Sequence, residues 1–155
     1  MGYFFAYGDR MNAEKMQAGS PSARFAGPGR LDGFRLAFNV VSRSWGGGAA
    51  NAVPDPRSSL WGVLWALDDV ELTRLEPVNT GGADADRSFE VEVTGPDGVV
   101  KATTFWVDSP EAFVRPTDRY VDMLRATAEA HGLPQEALDE LDRARAGQQG
   151  PAPAI

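Results

Sequence analysis

The chain contains no cysteine, a single histidine (His131) and only two lysines, Lys15 and Lys101. Without thiols there is no disulfide, no thiolate nucleophile and no cysteine-ligated zinc. One imidazole cannot build a multi-histidine metal site. His131 is also poorly placed for a Ser-His-Asp triad, because it falls late in a predicted helix beside Gly132, where an imidazole serves as a partner of the helix dipole. No apolar run reaches the length that spans a bilayer and no signal peptide precedes the first strand, so the expectation is a cytoplasmic protein without a membrane partner. Positive charge is almost all arginine and is scattered. With a net charge of −7 and a pI near 4.7, clustered phosphate contacts are missing, which argues against nucleic acid.

What is present is ordinary globular material: 155 residues, 43% hydrophobic and 24% charged. That is enough for one domain with a real core, expected over residues 1–146, with a frayed Gly-, Gln-, Pro- and Ala-rich tail over 147–155. The chain is organised around its opening stretch, YFFAYGDRM. Residues 3–6 read as a short buried strand that breaks at Tyr7-Gly8 and enters a helix capped by Asn12 and stopped near Gly19. A glycine between a buried strand and a helix start lets backbone N–H groups converge on one point, a ready anion site.

Residues 23–31 and 34–41 read as two strands joined by a tight Asp32-Gly33 turn. The glycines after Trp45 mark a flexible loop or a place of close backbone approach, and Pro54-Asp55-Pro56 reads as a turn. The run LWGVLWAL over 60–67 has the composition of a central strand buried on both faces, with Trp61 and Trp65 as core. Trp45 is the better candidate for a pocket wall. Asp68 caps a short helix; residues 76–87 lose all periodicity and carry Glu76, Asp84 and Asp86. A hairpin turning at residues 95–98 follows. Thr117 caps a helix over about 118–130, with Tyr120, Met123, Leu124 and Thr127 on one face, and Leu133-Pro134 opens a last helix. Six or so strands, mostly hairpin-linked, with flanking helices give an α+β fold with a curved or barrel-like sheet.

These pieces in this order (YFFAYGDRM, RLDGFRLAF, WGGGAANAVPDP, LWGVLWAL, RPTDRYVDMLRATAEAHGLP) resemble the γ-glutamylcyclotransferase-like proteins across roughly residues 3–135. The resemblance implies a small α+β barrel-like domain that needs no cofactor or metal. It implies a small-molecule substrate whose own α-amine attacks a γ-carbonyl, releasing 5-oxoproline and an amine. The family's opening loop, usually Tyr-Gly-Ser-Asn-Leu, holds the substrate carboxylate on backbone amides. That role transfers to Gly8, Asp9, Arg10 and Met11, with Tyr7 beside them, but Ser and Asn have become Asp9 and Arg10. The family's Leu-Asp-x-x-Glu-Gly motif corresponds to Leu75-Glu76-Pro77-Val78-Asn79-Thr80, so its proton-shuttling Glu is Asn79 here. A carboxamide has no titratable proton near neutral pH. A family tyrosine on the next strand is replaced by Ser88, whereas the one opening the long helix is kept as Tyr120.

Scaffold positions are thus retained while the chemistry is rewritten. The resulting expectation is a diverged enzyme acting on a small metabolite, as in natural-product tailoring. Asp9 is the first candidate for a relocated acid/base, followed by Glu76, Asp84 and Asp86. The alternatives are a non-catalytic binding protein on the same fold and a true cyclotransferase served by Glu76. Substrate contacts are expected from Tyr7, Gly8, Asp9, Arg10, Met11, Trp45, Ser88 and Tyr120. A homodimer is the assembly to test for.

Overall fold

A computed structural model describes residues 1–75, 88–108 and 111–148. Strand β1 (Gly2–Ala6) leads through a 3-10 turn (Asp9–Met11) into helix α1 (Ala13–Gly19). The Asn12 side chain accepts the Lys15 N–H at 3.1 Å, the expected cap. Two long strands follow, β2 (Arg24–Ser42) and β3 (Gly47–Leu67), then α2 (Asp69–Arg74), β4 (Ser88–Gly95), β5 (Gly98–Phe105), α3 (Asp118–Ala130) and α4 (Gln135–Arg145). The strands form a closed barrel in the order β1-β3-β2-β4-β5. This is the α+β barrel expected, with five strands among the described residues. The loop 76–87, with Glu76, Asn79, Asp84 and Asp86, lies outside those residues, as does the tail from 149.

Two turn signals are overridden. Asp32-Gly33 does not end a strand: β2 runs straight through it, and Gly33, at φ +86°, sits in a register shift between Asp32 and Phe34. The left-handed backbone of a tight turn also serves a β-bulge, and long cross-strand pairing on both sides fixes the latter. Pro54-Asp55-Pro56 likewise stays within β3. The partner of Asp32 is Ser59 and that of Phe34 is Pro54, so the intervening residues bow out of the ladder. Asp55 holds the bow by accepting from the Arg57 N–H at 3.0 Å and the Ser58 hydroxyl at 2.8 Å.

Closure is made where β1 meets β5 in parallel at Phe4 and Thr103. Next to it the buried Thr104 hydroxyl donates to the Phe5 carbonyl at 2.9 Å. The chain leaving β5 is tied to β3 by Asn51, which donates to Val107 O at 2.8 Å and accepts from Val107 N at 3.0 Å. Both bonds are internal, so a buried amide is satisfied rather than stranded.

The core is filled by Phe4 and Phe5 of β1, Leu60, Val63, Leu64 and Trp65 of β3, and Val93 of β4. The α3 face pressed on it is Tyr120, Val121, Leu124, Thr127 and Ala128, while Met123 is only half-buried. Trp61, expected in the core, is also half-buried; its indole N–H reaches Glu136 on α4 at 2.8 Å. His131 caps α3 but is not a charged dipole partner. It stacks on Phe25 at 4.7 Å, and burial lowers its pKa, favouring the neutral ring.

The glycines after Trp45 are needed for close approach. A Cβ on Gly48 would overlap the Val114 carbonyl, the segment that leads into α3. Gly48→Ala is therefore expected to cost about 2–3 kcal/mol. Gly33→Ala, where the added methyl meets open space, pays only for its φ, roughly 1–2 kcal/mol. Urea unfolding midpoints of the two variants check the order.

On α4, burial pushes the Glu140 carboxyl up from 4.5 to about 7, against the pull of Arg143. The folded state therefore prefers the protonated acid. Its contribution is complete below pH 4.5 and is lost as pH rises through 7. Between those limits the wild type should lose ~2–3 kcal/mol relative to Glu140→Gln. Denaturant titrations across the range read the difference directly.

Candidate functional site

β1 ends at Ala6, and Tyr7 and Gly8 carry the chain out of the barrel wall into the 3-10 turn. Three consecutive apolar residues, Phe4 to Ala6, pin the strand, so the polar residues that follow are delivered to one fixed place at its end. A cavity of about 60 Å³ opens there, walled by Phe4 to Arg10 together with Ala50, Thr104, Phe105 and Tyr120.

Tyr120 is almost fully buried. It stands at the start of α3, where the Thr117 side chain caps the helix by accepting the Tyr120 N–H. Its hydroxyl accepts the Ala50 N–H at 3.1 Å and lies within hydrogen-bonding reach of Asp9. Burial first, and the Asp9 charge second, push that hydroxyl well above the ordinary phenol range, so it stays a neutral donor. The Tyr7 hydroxyl is likewise driven up by burial, partly offset by a hydrogen bond from the Ala52 backbone. It donates to the Phe105 carbonyl. Both phenols are fixed hydrogen-bonding groups, not proton carriers.

Asp9 lines the cavity and its Oδ2 accepts the Trp45 indole N–H at 3.2 Å. Trp45 also packs on Tyr120, ring centroids 5.0 Å apart. Two cations approach its ring, Lys15 at 5.3 Å and Arg119 at 4.9 Å. The expected pocket wall is therefore not Trp45 itself: it does not line the cavity but holds the carboxylate that does. Arg10 is present in the wall; its carbonyl accepts the buried Trp65 indole N–H at 2.8 Å and its guanidinium lies over Phe4.

Two expected substrate contacts are displaced. Met11 turns inward and is core, because the 3-10 turn rotates it away from the face presented by Asp9. Ser88 opens β4 on the exposed side of the strand; it pairs in register with Phe105 but is not in the cavity wall. Gly8 remains, and a methyl there would touch Ala50 and the Tyr120 hydroxyl at 3.5 and 3.6 Å. Ala50, Thr104 and Phe105 were not singled out by the sequence. Their only prior sign was strand alternation, which gives a face without saying which end of the barrel is open. Among the described residues no three His, Asp or Glu side chains gather as metal ligands.

Removing the Tyr120 hydroxyl would strand the Ala50 N–H in a buried site. Tyr120→Phe is expected to cost roughly 1–2 kcal/mol while far-UV circular dichroism stays unchanged, as measured by denaturant unfolding.

Known proteins share this fold and resemble the chain in sequence. The γ-glutamylcyclotransferase of Mus musculus is 26% identical over 142 residues, covering 89% of this chain and 76% of that enzyme. That of Bos taurus is 28% identical over 144 residues, covering 90% and 76%. A solved structure of a γ-glutamyl cyclotransferase superposes with a TM-score of 0.82 at 26% identity, covering 97% of this chain and 89% of that one. Among the described residues no helix is long and apolar enough to cross a membrane. Residues 59–141 match the model of the AIG2-like family, more than half of the chain, and with the relatives above they place it in that family as a γ-glutamylcyclotransferase-like protein.

Proposed function

We propose that the chain is a diverged cyclotransferase that closes an amine-bearing amide on itself, with Asp9 as the proton carrier. One observation carries this reading: a carboxylate stands in the wall of the cavity at the end of β1, oriented by the Trp45 indole and beside the buried Tyr120 hydroxyl. The substrate's amine nitrogen attacks its own amide carbonyl, forming the ring C–N bond. Asp9 takes the proton released by that nitrogen and returns it to the leaving nitrogen as the original C–N bond breaks. No water is consumed, and the products are a lactam and an amine. Asp9 also gives the ring-closing ammonium a counter-charge before it deprotonates, which a neutral residue at that place would not.

Arg10, next in the wall, supplies the opposite sign for a substrate carboxylate. The cavity admits only the reacting end of a small metabolite, so the leaving half must extend outside it. Asn79, Glu76, Asp84 and Asp86 belong to the segment 76–87; in this reading Asn79 has no proton to move and Asp9 substitutes for the missing acid.

A second reading, a true γ-glutamylcyclotransferase using Glu76, is favoured by the mouse and bovine relatives that bear that name. One experiment separates the two. The protein is incubated with γ-glutamyl, β-aspartyl and α-aminoadipyl amides and amine release is followed. Turnover that falls 10²–10⁴-fold in Asp9→Asn and survives in Glu76→Gln supports Asp9. The reverse pattern, with 5-oxoproline formed, supports the second reading. No turnover of any amide by the wild type would sink both and leave a binding protein.

A further inference from the structure

A second, larger cavity of about 500 Å³ lies between α4 and the β2–β3 hairpin. Tyr7 forms part of its wall as well as of the smaller one. Its size is that of a small-molecule site, and the proposed reaction makes no use of it. The helix side presents Glu136, Asp139 and Glu140 with Arg143, the barrel side Arg30 and Arg57 with Asp32, so acids outnumber bases on α4 and bases outnumber acids on the barrel; the apolar surface comes from Leu36, Leu60, Leu133 and Leu141.

We infer that this cavity binds a free α-amino acid with an aliphatic side chain, its ammonium against the acids of α4, its carboxylate on Arg57 and its side chain on the leucines. The acids are already held for a cation. Glu136 is fixed by the Trp61 indole N–H at 2.8 Å. Glu140 has its nearest cation, Arg143, at 3.9 Å, beyond hydrogen-bonding range, and burial keeps it partly protonated near neutral pH. On the barrel side Arg30 is committed to Asp32 at 2.8 Å, which also takes the Ser59 hydroxyl at 2.7 Å. Arg57 is exposed and carries no salt bridge among the described residues; only its charge acts on Asp55, which leaves its guanidinium N–H groups for an anion. An amine alone would leave Arg57 unanswered, and a carboxylate alone would face three acids. A zwitterion answers both walls, and the leucines take its side chain.

Binding is coupled to a proton. An ammonium beside Glu140 favours its ionised form, against Glu136 on α4 and together with Arg143 of the same helix and Arg35 of β2, the charged groups that act on it. Asp139, Asp32, Arg30 and Arg57 complete the charged lining. Affinity should therefore rise between pH 6 and 8.

The test uses the full chain. Equilibrium dialysis against an equimolar mixture of the twenty amino acids, read by mass spectrometry, should retain leucine, isoleucine, valine or methionine. Calorimetry with leucine should give saturable binding at least tenfold tighter than with 4-methylpentanoate or isoamylamine, each of which lacks one charge. Arg57→Glu, a change at an exposed position, should weaken leucine at least tenfold with an unchanged unfolding midpoint. Glu140→Gln should remove the pH dependence. Retention of no amino acid, equal binding of either single-charge analogue, or undiminished binding in a folded Arg57→Glu variant would overturn the assignment.

Discussion

The Tyr120 hydroxyl is where three separate parts of the chain are joined. α3 brings it, β3 supplies the Ala50 N–H that it accepts, and the turn after β1 places Asp9 next to it. A buried phenol must have partners or it costs more than its ring contributes. That requirement fixes the helix start against the barrel end, and with it the distance between the two walls of the small cavity. Trp45 locks the arrangement from outside by packing on the ring of Tyr120 while donating to Asp9. The cavity is thus a by-product of satisfying one hydroxyl.

The same geometry separates two kinds of carboxylate. Asp9 is held by directed donors at the edge of the barrel, where a substrate can arrive. Glu140 sits on a helix face against the hairpin with no cation in hydrogen-bonding range, and there burial decides its state. Position in the fold, rather than residue type, therefore places one acid in the wall of the small cavity and the other in that of the larger one.

Much of the architecture was legible in residues. The caps at Asn12, Asp68 and Thr117 behave as their side chains dictate, because a capping bond spans three residues and needs no tertiary context. The hairpin of β4 and β5 was also local. The Asp32-Gly33 and Pro54-Asp55-Pro56 signals were misleading because they are opposite each other. Each allows the chain to bend, and long cross-strand pairing on both sides absorbs the bend as a bulge and a bow. Trp61 and Met11 show the same limit at a single residue. An apolar run and a loop position define chemical character, but not which side of a barrel wall or turn a side chain faces.

The sequence alone determined the helix starts at their caps, the lack of thiol and multi-histidine chemistry, and the presence of an acid and a base next to each other after the first strand. Those properties depend on composition and on contacts a few residues apart. Only the tertiary structure decided that Asp9 belongs to Trp45 and Tyr120, that Phe105 and Thr104 share its wall, and that α4 encloses a second cavity over the β2–β3 hairpin. Asp9 meets Trp45 across 36 positions and Tyr120 across 111. These meetings arise because closing the barrel and burying one helix face leave each pair nowhere else to go.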